Sequence, residues 1–281
     1  MATKDILVVG GAGGVGSALV KLLIDRGCKV IATVLNPEEV SFMESRYGGT
    51  VQCHIVDLSN AEAARIKIKE IAATINCLEA VAICAAVAPC APLELTPLST
   101  FLKTYEINCV SAAAVYQAVM PSLRKTGGRI VLLGSMGGRA AFTFMSAYIA
   151  TKFALEGLCD VMRREASPQG VKISLVQPGG IRTNLIGQQL IDVRRDYAAL
   201  GEEDKSRYGY LYDGYLKVAE SSMSGTSSTP EQIAEIVLQA LEAEEPETRY
   251  IAGEDAKQLL GSIGAMSDRE IDNLFNKMFL G

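Results

Sequence analysis

Tyr148 and Lys152 lie four residues apart in Ser146-Ala-Tyr-Ile-Ala-Thr-Lys152, within a stretch of helical pattern. Residues four apart share a helix face, so the phenol and the ammonium point into one site. A free tyrosine titrates near ~10, and a nearby cation favours its phenolate, as a general acid/base requires. The spacing alone is common by chance. Ser135 stands thirteen residues before Tyr148, just beyond the apolar run Ile130-Val-Leu-Leu. A hydroxyl at such a strand tip can bond a substrate oxygen. Asn108 sits inside a helical pattern at Glu106-Ile-Asn-Cys. Its amide competes for backbone hydrogen bonds there, so it reads either as an exposed polar position or as a functional one.

A second constellation opens the chain. The run Ile6–Val9 is followed by Gly10-Gly-Ala-Gly-Gly-Val-Gly16 and then by a helical pattern. Glycines there let the backbone turn tightly and approach a pyrophosphate seated on a helix N-terminus. Two registers fit, Gly11-x-Gly13-x-x-Gly16 and Gly10-x-x-x-Gly14-x-Gly16. A glycine-rich turn without function is the plain alternative.

These residues must be positioned by their elements. Strand-length apolar runs cover Ile6–Val9, Lys29–Val34, Val51–Val56, Ala80–Ala86, Arg129–Leu133 and Val171–Val176. Helical patterns lie between them: Val15–Arg26, Pro37–Tyr47, Asn60–Ile75, Leu98–Arg124 and Ser146–Ser167. Strands without polar alternation are buried on both faces. With helices between them they predict an α/β fold, a doubly wound parallel sheet of Rossmann type. Ligands of such sheets bind at the carboxyl ends of the strands, where all the motifs fall. Residues 181–229 are polar, Tyr-rich and weakly periodic, and they are expected to form a helical substrate lid. A helix at Pro230–Glu242, a short strand near Thr248–Ile251 and a helical tail over 254–281 follow. No linker interrupts 1–281, which reads as a single dinucleotide-binding and catalytic domain.

The glycine loop, Asn108, Ser135, Tyr148, Lys152 and Pro178-Gly179 occur in the order and spacing of the short-chain dehydrogenase/reductase family. The resemblance is close from about Asp5 to Thr183. Ser146-Ala-Tyr-Ile-Ala-Thr-Lys-Phe-Ala-Leu-Glu-Gly-Leu158 is most similar to members acting on retinol and steroids. The resemblance implies an NAD(P)-dependent oxidoreductase interconverting a secondary alcohol and a ketone, or an alcohol and an aldehyde. It implies Tyr148 as acid/base, Lys152 as the group that lowers the Tyr148 pKa and holds the nicotinamide ribose, and Ser135 as substrate orienter. Asn108 would place a water for proton relay. Cofactor contacts carry over to Gly10, Gly13, Gly14, Val15, Gly16, Val34, Leu35, Asp57, Ala85, Ala86, Tyr148, Lys152, Pro178, Gly179, Ile181 and Thr183. The family's Asn-Asn-Ala-Gly reads Ile83-Cys-Ala-Ala86 here, and its Thr before the first glycine is Val9.

The end of the second strand offers neither the acid that bonds a ribose 2′-hydroxyl nor a cation for a 2′-phosphate, since it reads Val34-Leu35. An uncompensated phosphate is the worse loss, so NAD(H) is favoured over NADP(H). The substrate is expected to be a medium or large apolar alcohol or ketone. Aromatic and aliphatic residues between 185 and 223, from Leu185 to Tyr197, Tyr212, Tyr215 and Met223, would line its pocket with Met136, Phe142, Phe144 and Met145. Ala112–Ala114, Val115, Ala118 and Val119, with Phe153, Ala154, Leu158 and Val161, point to a homodimer or homotetramer.

Composition narrows the rest. The 281 residues carry a formal charge of −5, and no Lys/Arg cluster marks a nucleic-acid surface. The single histidine, His54, rules out a His-rich metal site, and no metal is expected. Seven cysteines without paired spacing read as reduced thiols of a cytoplasmic protein. The polar start of the chain resembles no signal peptide, and no apolar run approaches the ~18–20 residues of a membrane span. Other readings are a 3-ketoacyl-carrier reductase, which would need basic surface of which Arg139 and Arg182 are the candidates, and a weakly active nucleotide sensor. A sugar-nucleotide epimerase shares the Tyr/Lys pair but generally uses a different glycine spacing.

Overall fold

Strand β1 (Asp5–Val9) is buried along its whole length, and its alternate side chains serve two cores. Leu7 and Val9 join one core, and Ile6 and Val8 the other. The same division holds along the neighbouring strands, because successive side chains leave opposite faces of a strand. The computed structural model describes residues 4–225 and 227–280, apart from the side chains of residues 223, 224 and 280. Among the described residues the elements run in chain order β1, α1 (Gly14–Asp25), β2 (Lys29–Val34), α2 (Pro37–Tyr47), β3 (Val51–Ile55), α3 (Ala61–Thr74), β4 (Leu78–Ile83), α4 (Leu98–Tyr105), α5 (Ser111–Thr126), β5 (Arg129–Leu133), α6 (Ser146–Ala166), β6 (Lys172–Pro178), α7 (Asn184–Ala199), α8 (Glu202–Ser224), α9 (Pro230–Glu242), β7 (Arg249–Ala252), α10 (Glu254–Ile263) and α11 (Asp268–Leu280).

The strands form one sheet in the order β3-β2-β1-β4-β5-β6-β7, every pair parallel. Helices α3, α5 and α6 cover one face, and α1 and α9 cover the other with Met43 of α2. The doubly wound parallel sheet read from the sequence is therefore the fold. Caps explain the helix starts. The Asn36 side chain accepts from the Glu39 N–H (2.9 Å), Asn60 from Ala63 (3.0 Å), and Thr229 forms a capping box with Gln232.

The structure refines several of these elements and readings. Strand β4 ends at Ile83 and residues 84–86 are loop, with the Cys84 N–H still donating to the Val9 carbonyl (2.9 Å). The helix expected over 98–124 is split by a π-helical turn at Glu106–Val110. Residues 184–224, weakly periodic in sequence, are two helices. They pack on a third, smaller aromatic cluster instead of on the sheet, so no broad apolar stripe was needed. The tail is likewise two helices. Ala112, Ala114, Val115, Ala118 and Val119, read as an assembly face, are buried within the subunit, whereas Phe153 (45%) and Val161 (49%) are exposed. The Met223 side chain, residues 1–3, Thr226 and Gly281 lie outside the described residues.

One ionic cluster fastens α6 to the sheet. The Glu156 carboxylate accepts from the Gln177 amide of β6 (2.6 Å) and from Arg249 Nε of β7 (2.8 Å). Arg249 also donates to Asp160 (2.9 Å), which Arg163 shares (2.7 Å). Burial raises the Asp160 carboxyl, but hydrogen bonding to Arg249 and the nearby arginines outweigh it and hold the group below the usual range. Breaking a fully buried pair from one side costs ~3–5 kcal/mol. Arg249 is one-quarter exposed, so Arg249→Met is expected to cost on the order of 2 kcal/mol, read as a lower urea midpoint. A loss under ~0.5 kcal/mol would place the cluster with ordinary surface pairs.

Candidate functional site

The chain turns out of β1 through Gly10, whose φ of +81° suits glycine. A Cβ there would stand 2.8 Å from Ala85, and one on Gly16 would stand 2.1 Å from the Gly10 carbonyl. Gly10 and Gly11 donate to Thr33 of β2, at 3.2 Å to Oγ1 and 2.9 Å to the carbonyl. A Cβ on Gly14 would lie 2.8 Å from the Thr183 methyl and one on Gly11 2.7 Å from Ala32 Cβ, whereas one on Gly13 would make only an ordinary contact, 3.4 Å, with the Gly10 carbonyl. Packing thus demands every glycine of the Gly10/Gly14/Gly16 register, and of the other register Gly11 and Gly16 but not Gly13. Gly13 caps α1 without a side-chain hydrogen bond, so the first N–H groups of α1 face a cradle suited to an anion.

The other named cofactor positions gather around this cradle unequally. Ala85 packs on Gly10, and Thr183 reaches Gly14 from beyond β6. Asp57 is exposed beyond β3, and the Ser59 backbone N–H (2.8 Å) keeps its carboxyl below the usual range. Val15 and Val34 face inward. They are 5% and 2% exposed and belong to the core, so only their backbone is available. Leu35 is exposed, and its N–H donates to Glu39 Oε2 (2.7 Å). Glu39 therefore brings a carboxylate to the end of β2. Reading only positions 34 and 35 missed it, because the acid comes from one turn into α2.

Asn108 is 4% exposed, which excludes the surface reading. It sits in the π-helical turn and clamps the loop after β4. Its Oδ1 accepts from the Val87 N–H (2.8 Å), and its Nδ2 donates to the Val87 carbonyl (2.7 Å) and to Thr151 Oγ1 (3.1 Å). Both amide protons are thus committed to protein groups, and Oδ1 accepts one of the two bonds it can take. Ile107, Asn108, Ser111, Leu133 and Lys152 border a cavity of about 10 Å³, close to the room one water needs.

Ser135, Tyr148 and Lys152 converge. Ser135 Oγ accepts from the Gly137 N–H (2.9 Å) and lies near enough to the Tyr148 phenol to pull its pKa downward. Lys152 is 3% exposed, donates to the Leu133 carbonyl (2.9 Å), and lies 5.5 Å from the centre of the Tyr148 ring. Burial pushes the Tyr148 phenol up to about 12, against the smaller pull of Ser135, and pushes Lys152 down to about 8. The phenol is raised and not lowered as the Tyr/Lys spacing suggests, because desolvation dominates it and the Lys152 charge is not among the groups that act on it. The phenol here is a held proton.

Beyond Tyr148 the chain forms a wall that sequence reading did not separate from the pocket. Phe144 has a φ of +73°, rare for a bulky residue, and is buried against Tyr212 and Tyr215 at ring distances of 4.9 Å. Tyr197 stacks on Tyr212, and Phe142 meets Phe275 of α11. These aromatic rings pack α7, α8 and α11 onto the loop before Tyr148. Gln189 of α7 donates to the Ala88 carbonyl and to Cys90 (3.4 Å), and Cys90 donates to the Tyr215 hydroxyl (3.2 Å). The open groove that remains, about 510 Å³, is lined by Pro92, Leu93, Glu94, Phe142, Ser146, Leu211 and their neighbours. No cluster suited to a metal occurs among the described residues.

A family model described as short chain dehydrogenase matches residues 4–192. A 3-amino-tetrahydro-pyrrolizinone reductase of Xenorhabdus hominickii is 30% identical, over 98% of this chain and 96% of its own length. Retinol dehydrogenase 7 of Rattus norvegicus is 28% identical, over 90% of this chain and 82% of its own. The crystal structure of a short chain dehydrogenase from Burkholderia cenocepacia J2315 in complex with NADP superposes with a TM-score of 0.73 at 21% identity, covering 99% and 98% of the two chains. That likeness is one of fold.

Folding lowers the Lys152 pKa from 10.5 to about 8, so the unfolded chain binds a proton that the folded chain releases in that window. Stability therefore rises with pH between those values, and the buried cation is a cost below them. Lys152→Met is expected to stabilise the unliganded protein at pH 7 by on the order of 1–3 kcal/mol, less the lost bond to Leu133. The advantage should shrink as pH climbs from 8 toward 10.5. Urea titrations that show a pH-independent difference would contradict a buried, titrating lysine.

Proposed function

This chain belongs to the short-chain dehydrogenase family and is an oxidoreductase, and from that premise we propose that it interconverts a secondary alcohol and a ketone, with Tyr148 as the proton-transfer group. The observation that carries the reading is the meeting of Ser135, Tyr148 and Lys152 at the carboxyl edge of the sheet, beside a glycine cradle that a Cβ would fill. The bound nicotinamide supplies the hydride acceptor or donor. The protein does the rest. Ser135 and the Tyr148 hydroxyl hold the substrate oxygen, and Tyr148 gives its proton to that oxygen in reduction or takes it in oxidation. Lys152, fixed by Leu133, turns its charge toward the phenol and the ribose. The Asn108 clamp keeps the loop of Ala85 and Ala86 against the glycines, and the cavity beside Lys152 is sized for a water that carries the proton outward. The contacts at Pro178, Gly179, Ile181 and Thr183 complete the nicotinamide end.

Glu39 supports NAD(H). Its carboxylate already occupies the Leu35 N–H, a donor that a 2′-phosphate would otherwise use, and it repels a phosphate while accepting from a ribose hydroxyl. The mostly apolar groove supports a medium-sized apolar substrate, with Ser146 and the hydrogen-bonded pair of Tyr208 and Glu94 at its border for a polar end. Helices α7 and α8, over residues 181–229, then act as the lid. Leu98, Leu102, Val110, Phe153 and Val161 leave apolar surface on α4, α6 and the π-helical turn, which supports a homodimer or homotetramer. The free cysteines support a reducing, cytoplasmic setting, and no helix among the described residues is long and apolar enough to cross a membrane.

Three measurements test the reading. Tyr148→Phe should lower kcat by about 10²–10⁴-fold while cofactor affinity stays, and near-normal turnover would remove Tyr148 from the reaction. Glu39→Arg should tighten NADP+ binding by about tenfold relative to NAD+, and an unchanged ratio would leave the preference to other residues. Across a series of lengthening secondary alcohols, each methylene should add ~0.8 kcal/mol to binding until the groove is full. A flat series would exclude an apolar pocket.

A further inference from the structure

We propose that Asp255 is a positioning residue of the cofactor site: its carboxylate sets the turn after β6 on which the nicotinamide end of the cofactor rests. The proposal rests on the dehydrogenase reading above. Strand β6 ends at Pro178 and its partner β7 at Ala252, side by side at the carboxyl edge. The Gly179 N–H donates to the Ala252 carbonyl (3.0 Å), and the Gly180 N–H donates to Asp255 Oδ2 (2.7 Å). The other oxygen, Oδ1, accepts from the Ala256 N–H (2.9 Å). Gly253, at a φ of +98°, turns the chain so that Asp255 points back at β6.

The carboxylate fills the space that side chains would need. A Cβ on Gly179 would stand 2.1 Å from Asp255 Oδ1, and one on Gly253 would stand 2.7 Å from it. A Cβ on Gly180 would meet Ser227 and Ser222 at 2.6 and 2.8 Å. The glycines of this turn are therefore matched to the acid, and the acid fixes their path. From Gly180 the chain continues to Ile181, bridged to Ser228, and to Thr183, whose methyl packs on Gly14. One line of contacts thus runs from Asp255 through the turn to the phosphate cradle. Asp255 lies outside the span that the family model matches, residues 4–192, so this determinant belongs to the later part of the chain.

The test uses the full-length protein with whichever of NAD+ or NADP+ the wild type binds, and with ADP-ribose, which lacks the nicotinamide. Asp255→Ala should weaken dinucleotide binding by about tenfold and lower kcat, since a charge-assisted bond is lost, while ADP-ribose affinity stays within about twofold. Asp255→Asn keeps an oxygen for the Gly180 N–H and should recover most of the loss. Gly179→Ala, which pushes the carboxylate aside, should reproduce the Asp255→Ala pattern. Equal weakening of both ligands, no change in either, or failure of all three variants to fold would overturn the positioning role. A wild type that neither binds a dinucleotide nor turns over any alcohol or ketone would overturn the dehydrogenase reading itself. An active wild type with unaffected variants would overturn only the role of Asp255.

Discussion

A buried carboxylate at Glu156 decides where α6 can sit. It lies one turn beyond Lys152 on the same helix face and is tied to β6 through Gln177 and to β7 through Arg249. The loop that follows Ser135 closes on the same spot: a Cβ on Gly138 would stand 2.9 Å from both Glu156 Cγ and the Lys152 carbonyl. Helix, loop and two strands therefore share one contact, and small shifts in any of them are resisted by all. Replacing such an ionic cluster with apolar residues need not cost stability, but its partners hold α6 in its register against β6 and β7. Tyr148 and Lys152 inherit that register. So does Pro178, which follows Gln177 directly.

Parts of this arrangement were legible from residues alone. The apolar strands declared a sheet buried on both faces, and the run Gly10–Gly16 declared a cradle though not its register, because each feature is local in sequence. The Tyr148/Lys152 pair and Ser135 were legible through helical spacing and a strand tip. Hidden features depend on partners far along the chain. Asn108 was visible as an anomaly in a helix, yet its bond to Val87 and the π-helical turn that aims it require the folded loop. Glu39 reads in sequence as an ordinary helix-start acid, and only its bond back to Leu35 shows where its charge lies. Asp255 carries no local signal at all. Residues 184–224 gave a weak helical pattern because their buried side chains meet an aromatic cluster, not the sheet.

The chemistry at Tyr148 shows why spacing is an incomplete guide to acidity. The pattern places a cation near a phenol, and the fold keeps that placement. It also buries Lys152 and half-buries Tyr148, and desolvation drives each toward its neutral form. The aromatic wall has a parallel lesson. Phe144, Tyr212 and Tyr215 look like pocket lining in sequence, but most of their surface is spent holding α7 and α8 to the loop before Tyr148.

Residues 249–279 supply Arg249 to the α6 anchor, Asp255 to the turn after β6, and Phe275 and Phe279 to the loop and helix that wall the substrate side. These residues are synthesised after every strand from β1 to β6. A growing chain can pair those strands, and their helices can cover them, while both ends of the active cleft are still loose. Loop closure over such distances is also slow relative to local folding. The groups that finish both ends of the cleft therefore leave the ribosome last, behind the six strands whose carboxyl edge they complete.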